Sequence, residues 1–123
     1  MTGGAASANG VILGVDTSLR STGWAVVETG GHACSLRDSG PIKISSRSPV
    51  SEALRRIDET VSEVVAGHGP GAAAIEGGYM FRNARTALIL GQVRGVVIAA
   101  CARGGVPVYE YAPRRVKQSA TGS

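Results

Sequence analysis

The stretch AAAIEGGYMFRNARTALILGQ, Ala72–Gln92, decides how the chain is read. Its first five residues are short, apolar and end on a carboxylate, Glu76. Two glycines, an aromatic and a run of basic residues follow. A brief apolar run bounded by turn residues is the mark of a buried strand. An acid at its end is costly to bury without a purpose. The chain upstream has a partner for it. VILGVD, Val11–Asp16, is another compact apolar run that also ends on an acid.

Between these two runs the pattern gives a hairpin and a helix. TGWAVVE, Thr22–Glu28, reads as a second strand. The TGGH turn tolerates positive φ, and Ala33–Ile44 supplies a third strand with Gly40-Pro41 as a bulge or bend. A three-strand antiparallel meander results. Ser48 is the expected N-cap of the next helix, and Pro49 its first residue. Val50, Leu54, Ile57, Val61, Val64 and Val65 recur at helical spacing as one apolar stripe, and Gly67 is the expected stop. AAAIE is then the fourth strand. A right-handed crossover places it parallel to the first. Parallel neighbours share an edge for their C-terminal ends, so Asp16 and Glu76 are expected to meet.

A second helix is expected from Asn83 to Arg103. It is apolar on most sides, and Gly91 and Gly95, four apart, permit another backbone to approach. It should therefore be covered on more than one face, inside the chain and by a second subunit. Gly104-Gly105 ends it, and VPVYEY, Val106–Tyr111, is the fifth strand. The apolar region around this helix is interrupted by Gln92 and Arg94. It reads as a core helix of a cytoplasmic protein with no membrane partner. MTGGAASANG lacks a signal-peptide pattern and reads as a disordered tail over residues 1–10, leaving 11–123 as one domain.

The 123 residues suffice for one ordinary core. Cys34 and Cys101 fit no metal-ligand spacing and are read as two buried free thiols. His32 and His68 are read as solvated turn residues. Residues 1–76 carry six basic and eight acidic groups. Residues 77–123 carry seven basic groups against Glu110 alone. A basic second half points to a polyanionic partner.

Two carboxylates brought together repel each other unless a cation joins them. Mg²⁺ takes oxygen ligands and keeps waters for a phosphate substrate, and nucleases use such ions in pairs. The segments GVDTSLRSTGWAVV, AAIEGGYMFRNARTALILGQVRGVVIAA and VPVYEYAPRRVKQSATG together resemble the RuvC family of crossover-junction endodeoxyribonucleases. The resemblance runs from Val11 to Gly122. It implies an α/β, ribonuclease H-like fold with a five-stranded mixed sheet flanked by helices.

The resemblance further implies a homodimer that makes paired, Mg²⁺-dependent nicks in four-way junction DNA, with Mn²⁺ as a substitute. A branch-migration motor complex is the implied partner. Asp16 and Glu76 would be catalytic metal ligands, and Lys117 a basic residue supporting cleavage. Tyr79 stands where the family usually has a Phe that stacks on an unpaired base, and it keeps the π-face needed. Arg82, Asn83, Arg85, Arg114 and Arg115 would contact DNA. The family continues past the position of Ser123 to a helix that supplies two further metal ligands. Without those helices, apolar surface should be left exposed. A non-cleaving junction binder is the alternative. An actin-like ATPase or kinase fragment is suggested by the Gly-x-Asp turn in VILGVDTS, but the chain is too short for a two-lobed fold.

Overall fold

The computed structural model describes residues 9–76 and 83–111. Five strands form one sheet: β1 (Val11–Asp16), β2 (Gly23–Gly30), β3 (Ala33–Pro41), β4 (Ala72–Glu76) and β5 (Val108–Tyr111). Two helices, α1 (Val50–His68) and α2 (Ala84–Arg103), connect β3 to β4 and β4 to β5. The order across the sheet is β3-β2-β1-β4-β5. β1 is antiparallel to β2, β2 is antiparallel to β3, and β4 is parallel to both β1 and β5. The expected meander and crossover are therefore both present.

Alternation along β1 sets the two faces. Val11, Leu13 and Val15 are buried. They share one core with Val26 of β2, Ala73 and Ile75 of β4, Ile57, Val61, Val64 and Val65 of α1, and Val93, Val97, Ala100 and Cys101 of α2. Both helices thus cover the same face of the sheet. On the opposite face lie Ile12, Gly14, Ala25, Val27, Ala74 and Tyr109, all partly exposed. Leu36, in register with Val27, is 65% exposed. Neither of the two described helices covers this second face.

Several local expectations shift. Pro49, not Ser48, is the N-cap of α1; it has extended backbone and gives no side-chain cap bond. Its carbonyl accepts from the N–H groups of Glu52 and Ala53, at 3.1 Å each. At the other end Gly67 stays inside the helix. Gly69 is the cap, with φ 58° and ψ 48°, and its N–H donates to the Val65 carbonyl. That left-handed conformation is the one glycine adopts without penalty.

His68 is accordingly a helical residue, not a solvated turn. Its Nε2 lies 3.0 Å from Asp38 Oδ2 on β3, and its ring sits 6.3 Å from that of Trp24. The bulge in the third strand falls at Arg37, where the register steps from Val26–Asp38 to Val27–Leu36, rather than at Gly40-Pro41. Gly40 has another role: a Cβ there would sit 3.3 Å from the Trp24 indole it pairs with. Cys101 is buried as expected, but Cys34, on the edge strand β3, is exposed. The fifth strand starts at Val108, two residues later than expected. Asn9 and Gly10, placed with the N-terminal tail by sequence, are tied into the fold. Asn9 accepts from Val11 N–H and donates to the Gly69 carbonyl, and Gly10 accepts from Thr29 N–H.

α2 is 20 residues long and apolar enough, by length and composition, to cross a membrane. Its packing gives it a different use. One face is buried in the core against α1, and Arg94 on that face bonds Glu110 of β5 at 2.5 Å. The opposite face, with Leu88, Gly91, Gln92, Gly95, Ala99 and Ala102, is exposed. The expected cover on more than one face is thus not supplied by the described residues of this chain.

Candidate active site

The last rung of the parallel ladder between β1 and β4 pairs Asp16 with Glu76. Partners in register on adjacent parallel strands point to the same side, about 4.8 Å apart along the hydrogen-bonding direction. Both side chains are exposed at the rim of the face opposite the helices. Neither forms an ion pair with a basic group among the described residues. Sequence reasoning inferred this meeting from the crossover rule, and the register delivers it.

Thr17 fixes the rung. Its N–H donates to the Glu76 carbonyl at 3.0 Å, and its Oγ1 donates to the same oxygen at 3.1 Å. The residue is only 4% exposed. It extends the strand pairing one step beyond the two acids and holds their backbones at ladder spacing. Thr22, fully buried, closes the loop behind it, accepting from Ser18 N–H at 3.0 Å and bonding the Ser18 carbonyl. Neither threonine was singled out from sequence. The only signal was two hydroxyl residues flanking a tight turn, which also suits a plain surface loop.

Other expected site residues divide into two groups. Asn83 is the N-cap of α2, and its Oδ1 accepts from Thr86 N–H at 2.9 Å. That bond satisfies an orphan donor of the first turn, so its side chain already has structural work. Arg85, one residue into α2, is exposed. A cavity of about 410 Å³ lies between the β1–β2 loop (Thr17 to Arg20) and the first turns of α2 (Thr86, Ile89, Leu90). Tyr79, Arg82, Arg114, Arg115 and Lys117 lie outside the described residues.

The donor set suits a hard cation in part. Two unpaired carboxylates supply oxygen ligands of the kind Mg²⁺ and Mn²⁺ take. Among the described residues, no group of three or more His, Cys, Asp or Glu side chains could hold a metal by itself. Among the described residues, Asp16 and Glu76 offer two oxygen-bearing side chains on one rung rather than a closed cage.

A mixed sheet of order 3-2-1-4-5, with one acid at the end of its central strand and another on the parallel neighbour, has the ribonuclease H-like architecture. A family profile for crossover junction endodeoxyribonuclease RuvC matches residues 12–123. The chain is 38% identical over 113 residues to the crossover junction endodeoxyribonuclease RuvC of Erythrobacter litoralis, covering 92% of this chain and 69% of that one. It is 40% identical over 112 residues to the protein of the same name from Halorhodospira halophila, covering 91% and 66%. The structure of Thermus thermophilus RuvC in complex with a Holliday junction substrate superposes with a TM-score of 0.82 at 33% identity, over 92% of this chain and 69% of that one. The chain belongs to the RuvC family of crossover junction endodeoxyribonucleases. It spans about two thirds of the length of these relatives.

Proposed function

We propose that this chain is the nuclease domain of a metal-dependent, structure-selective endonuclease that resolves four-way DNA junctions by paired nicks. The observation that carries the reading is the Asp16–Glu76 rung, two acids with no ion-pair partner among the described residues, side by side where β1 and β4 end. The thermophilic relative is seen with a Holliday junction, which supports the same substrate here. Asp16 and Glu76 would hold Mg²⁺, with Mn²⁺ as a substitute. A metal held by these two carboxylates would supply water activation and stabilisation of the leaving oxygen of the phosphodiester. The chain's own residues set the carboxylates at ladder spacing and, through Thr17, keep them there.

Lys117 is proposed to support cleavage, Tyr79 to stack on an unpaired base, and Arg82, Asn83, Arg85, Arg114 and Arg115 to hold phosphates. The exposed face of α2 favours a homodimer, since an apolar, glycine-bearing helix face is unlike a solvated one. A branch-migration motor complex as partner and a cytoplasmic location follow from the same reading.

The test is cleavage of a synthetic four-way junction by the full-length gene product, with Asp16→Asn and Glu76→Gln compared by gel shift. Both variants should keep junction binding and lose cleavage. Undiminished cleavage by either would overturn the site assignment. A second reading, junction binding without cleavage, is favoured by a donor set of only two carboxylates among the described residues. It predicts shifted complexes and no product at any Mg²⁺ concentration.

A further inference from the structure

The described basic residues sort into two sets. Arg37, Arg55, Arg94 and Arg103 each pair with a carboxylate: Glu28, Glu52 and Glu59, Glu110, and Asp58 respectively. Arg20, Lys43, Arg47, Arg56 and Arg85 form no such pair among the described residues. The second set shares a location. β3 runs parallel to β1, so Pro41, Gly23, Asp16 and Glu76 lie in one row across the sheet. The loop leaving β3, the β1–β2 loop and the starts of both helices therefore crowd the edge that carries the two acids. Four of the five cations come from the half of the chain whose net charge is negative.

The loop from Ile42 to Pro49 is a built scaffold. Arg20 donates through Nη1 to the Ser45 carbonyl at 2.7 Å and through Nη2 to the Ser48 carbonyl at 2.9 Å. Ser48 N–H donates to the Ser45 carbonyl, and Arg47 N–H to Ser45 Oγ. Arg56 donates to the Lys43 carbonyl at 3.3 Å. Lys43, Arg47 and Arg56 are left exposed. Lys43 and Arg56 flank a hollow of about 260 Å³ with Ser45, Ser48 and Glu52. Glu52 offsets only part of that charge: Arg55 engages both its oxygens, and Arg56 acts on it through its charge alone. The amino end of α1 adds its positive dipole to the same place.

We infer that Lys43, Arg47 and Arg56 form a second phosphate-holding surface, which grips the backbone of a junction arm beside the cleavage edge, with Arg20 as the positioning residue that shapes its loop. This rests on the junction-nuclease reading and names a contact surface that reading does not contain. The occupant is DNA because the surface is cationic and hydrophilic, and because its loop leaves β3 at the row of strand ends that carries Asp16 and Glu76. β3 is two strand spacings from β1 and three from β4. That places the end of β3, from which the patch's loop departs, roughly 10–14 Å from the acids.

The experiment is the salt dependence of junction binding by the full-length gene product. Three variants enter it: K43A/R47A/R56A, a control R37A/R55A/R103A of equal net charge, and the conservative K43R/R47K/R56K. Each lost phosphate contact lowers the log–log salt slope by about one. The patch variant should lose roughly two to three, and bind at least about tenfold more weakly at low salt. The control should lose less than one, and the conservative variant should keep the slope. Equal losses in patch and control, or an unchanged patch slope, would overturn the patch while leaving the junction-nuclease reading in place. Failure of the unsubstituted protein to bind junctions would overturn both. Melting curves accompany each variant, and the conservative triple guards against a loss caused by misfolding.

Discussion

Replacing Thr17 by Val tests whether the Asp16–Glu76 rung is held by a specific bond. The side chains are nearly isosteric, so packing at this 4%-exposed position is kept. The backbone N–H bond to the Glu76 carbonyl, 3.0 Å, is also kept. Only the Oγ1 bond to that carbonyl is removed. The carbonyl remains satisfied, so no stranded polar group is created. The loss is then the net worth of one hydrogen bond, about 1 kcal/mol. For a domain of this size that corresponds to roughly 3–5 °C in melting temperature. The effect on cleavage should be larger than that on folding. A slackened rung misplaces two ligands at once, and each 1.4 kcal/mol lost at the transition state is about tenfold in rate. Junction affinity should hold, because Thr17 contributes no charge. The assay is single-turnover cleavage beside a thermal melt, with Thr17→Ser as the rescue. A Val variant that melts and cleaves like the unsubstituted protein would refute the argument. So would a Ser variant no better than Val.

Gly95→Leu should act in opposite directions on the chain and on its assembly. Nothing lies within 4 Å of a Cβ built at Gly95, so the substitution fits and gains helix propensity of roughly 0.5–1 kcal/mol. Light scattering across a concentration series should nevertheless show weakened association, and an unchanged dimer would place the interface elsewhere. The two thiols should separate cleanly. Cys34 is exposed and should react at once with a thiol reagent, while burial pushes the Cys101 thiol up to about 11 and should protect it until the chain unfolds. The same shift has a stability sign. The unfolded thiol ionises first, so its contribution is intact below about pH 9 and is lost as pH rises towards 11. Cys101→Ala should flatten that alkaline limb, and an unchanged limb would remove Cys101 as its cause.

The strands β1 and β4 were legible because each pairs an apolar run with an abrupt acid, and because few topologies join such runs through one helix. Boundaries were less legible where two residues compete for one role. Gly67 and Gly69 both offer a helix stop, and local composition does not choose between them. The choice is made by tertiary contact. His68 reaches Asp38 on β3, which extends α1 by two residues and leaves Gly69 to accept the left-handed conformation. Cys34 was misplaced for a related reason. An apolar-looking strand does not announce whether it will be central or at an edge, and the order 3-2-1-4-5 leaves β3 with one neighbour.

The acids and the basic patch differ in a way that explains why one was read from sequence and the other was not. Asp16 and Glu76 are each marked by their immediate surroundings, and a single handedness rule brings them together. Lys43, Arg47 and Arg56 have no such local mark. They are mixed with Glu52, Asp58, Glu59 and Glu63, and on a linear count the segment looks neutral to acidic. Folding separates what the linear count averages. Helical spacing turns Glu52 and Glu59 onto Arg55, and Asp58 across to Arg103 of α2. The carboxylates that would have masked the patch are thereby committed to partners beside or behind it. The cations that remain are those the chain delivers to the acid-bearing edge. Charge there is set by which residues find partners, and that is a property of the helix pair rather than of composition.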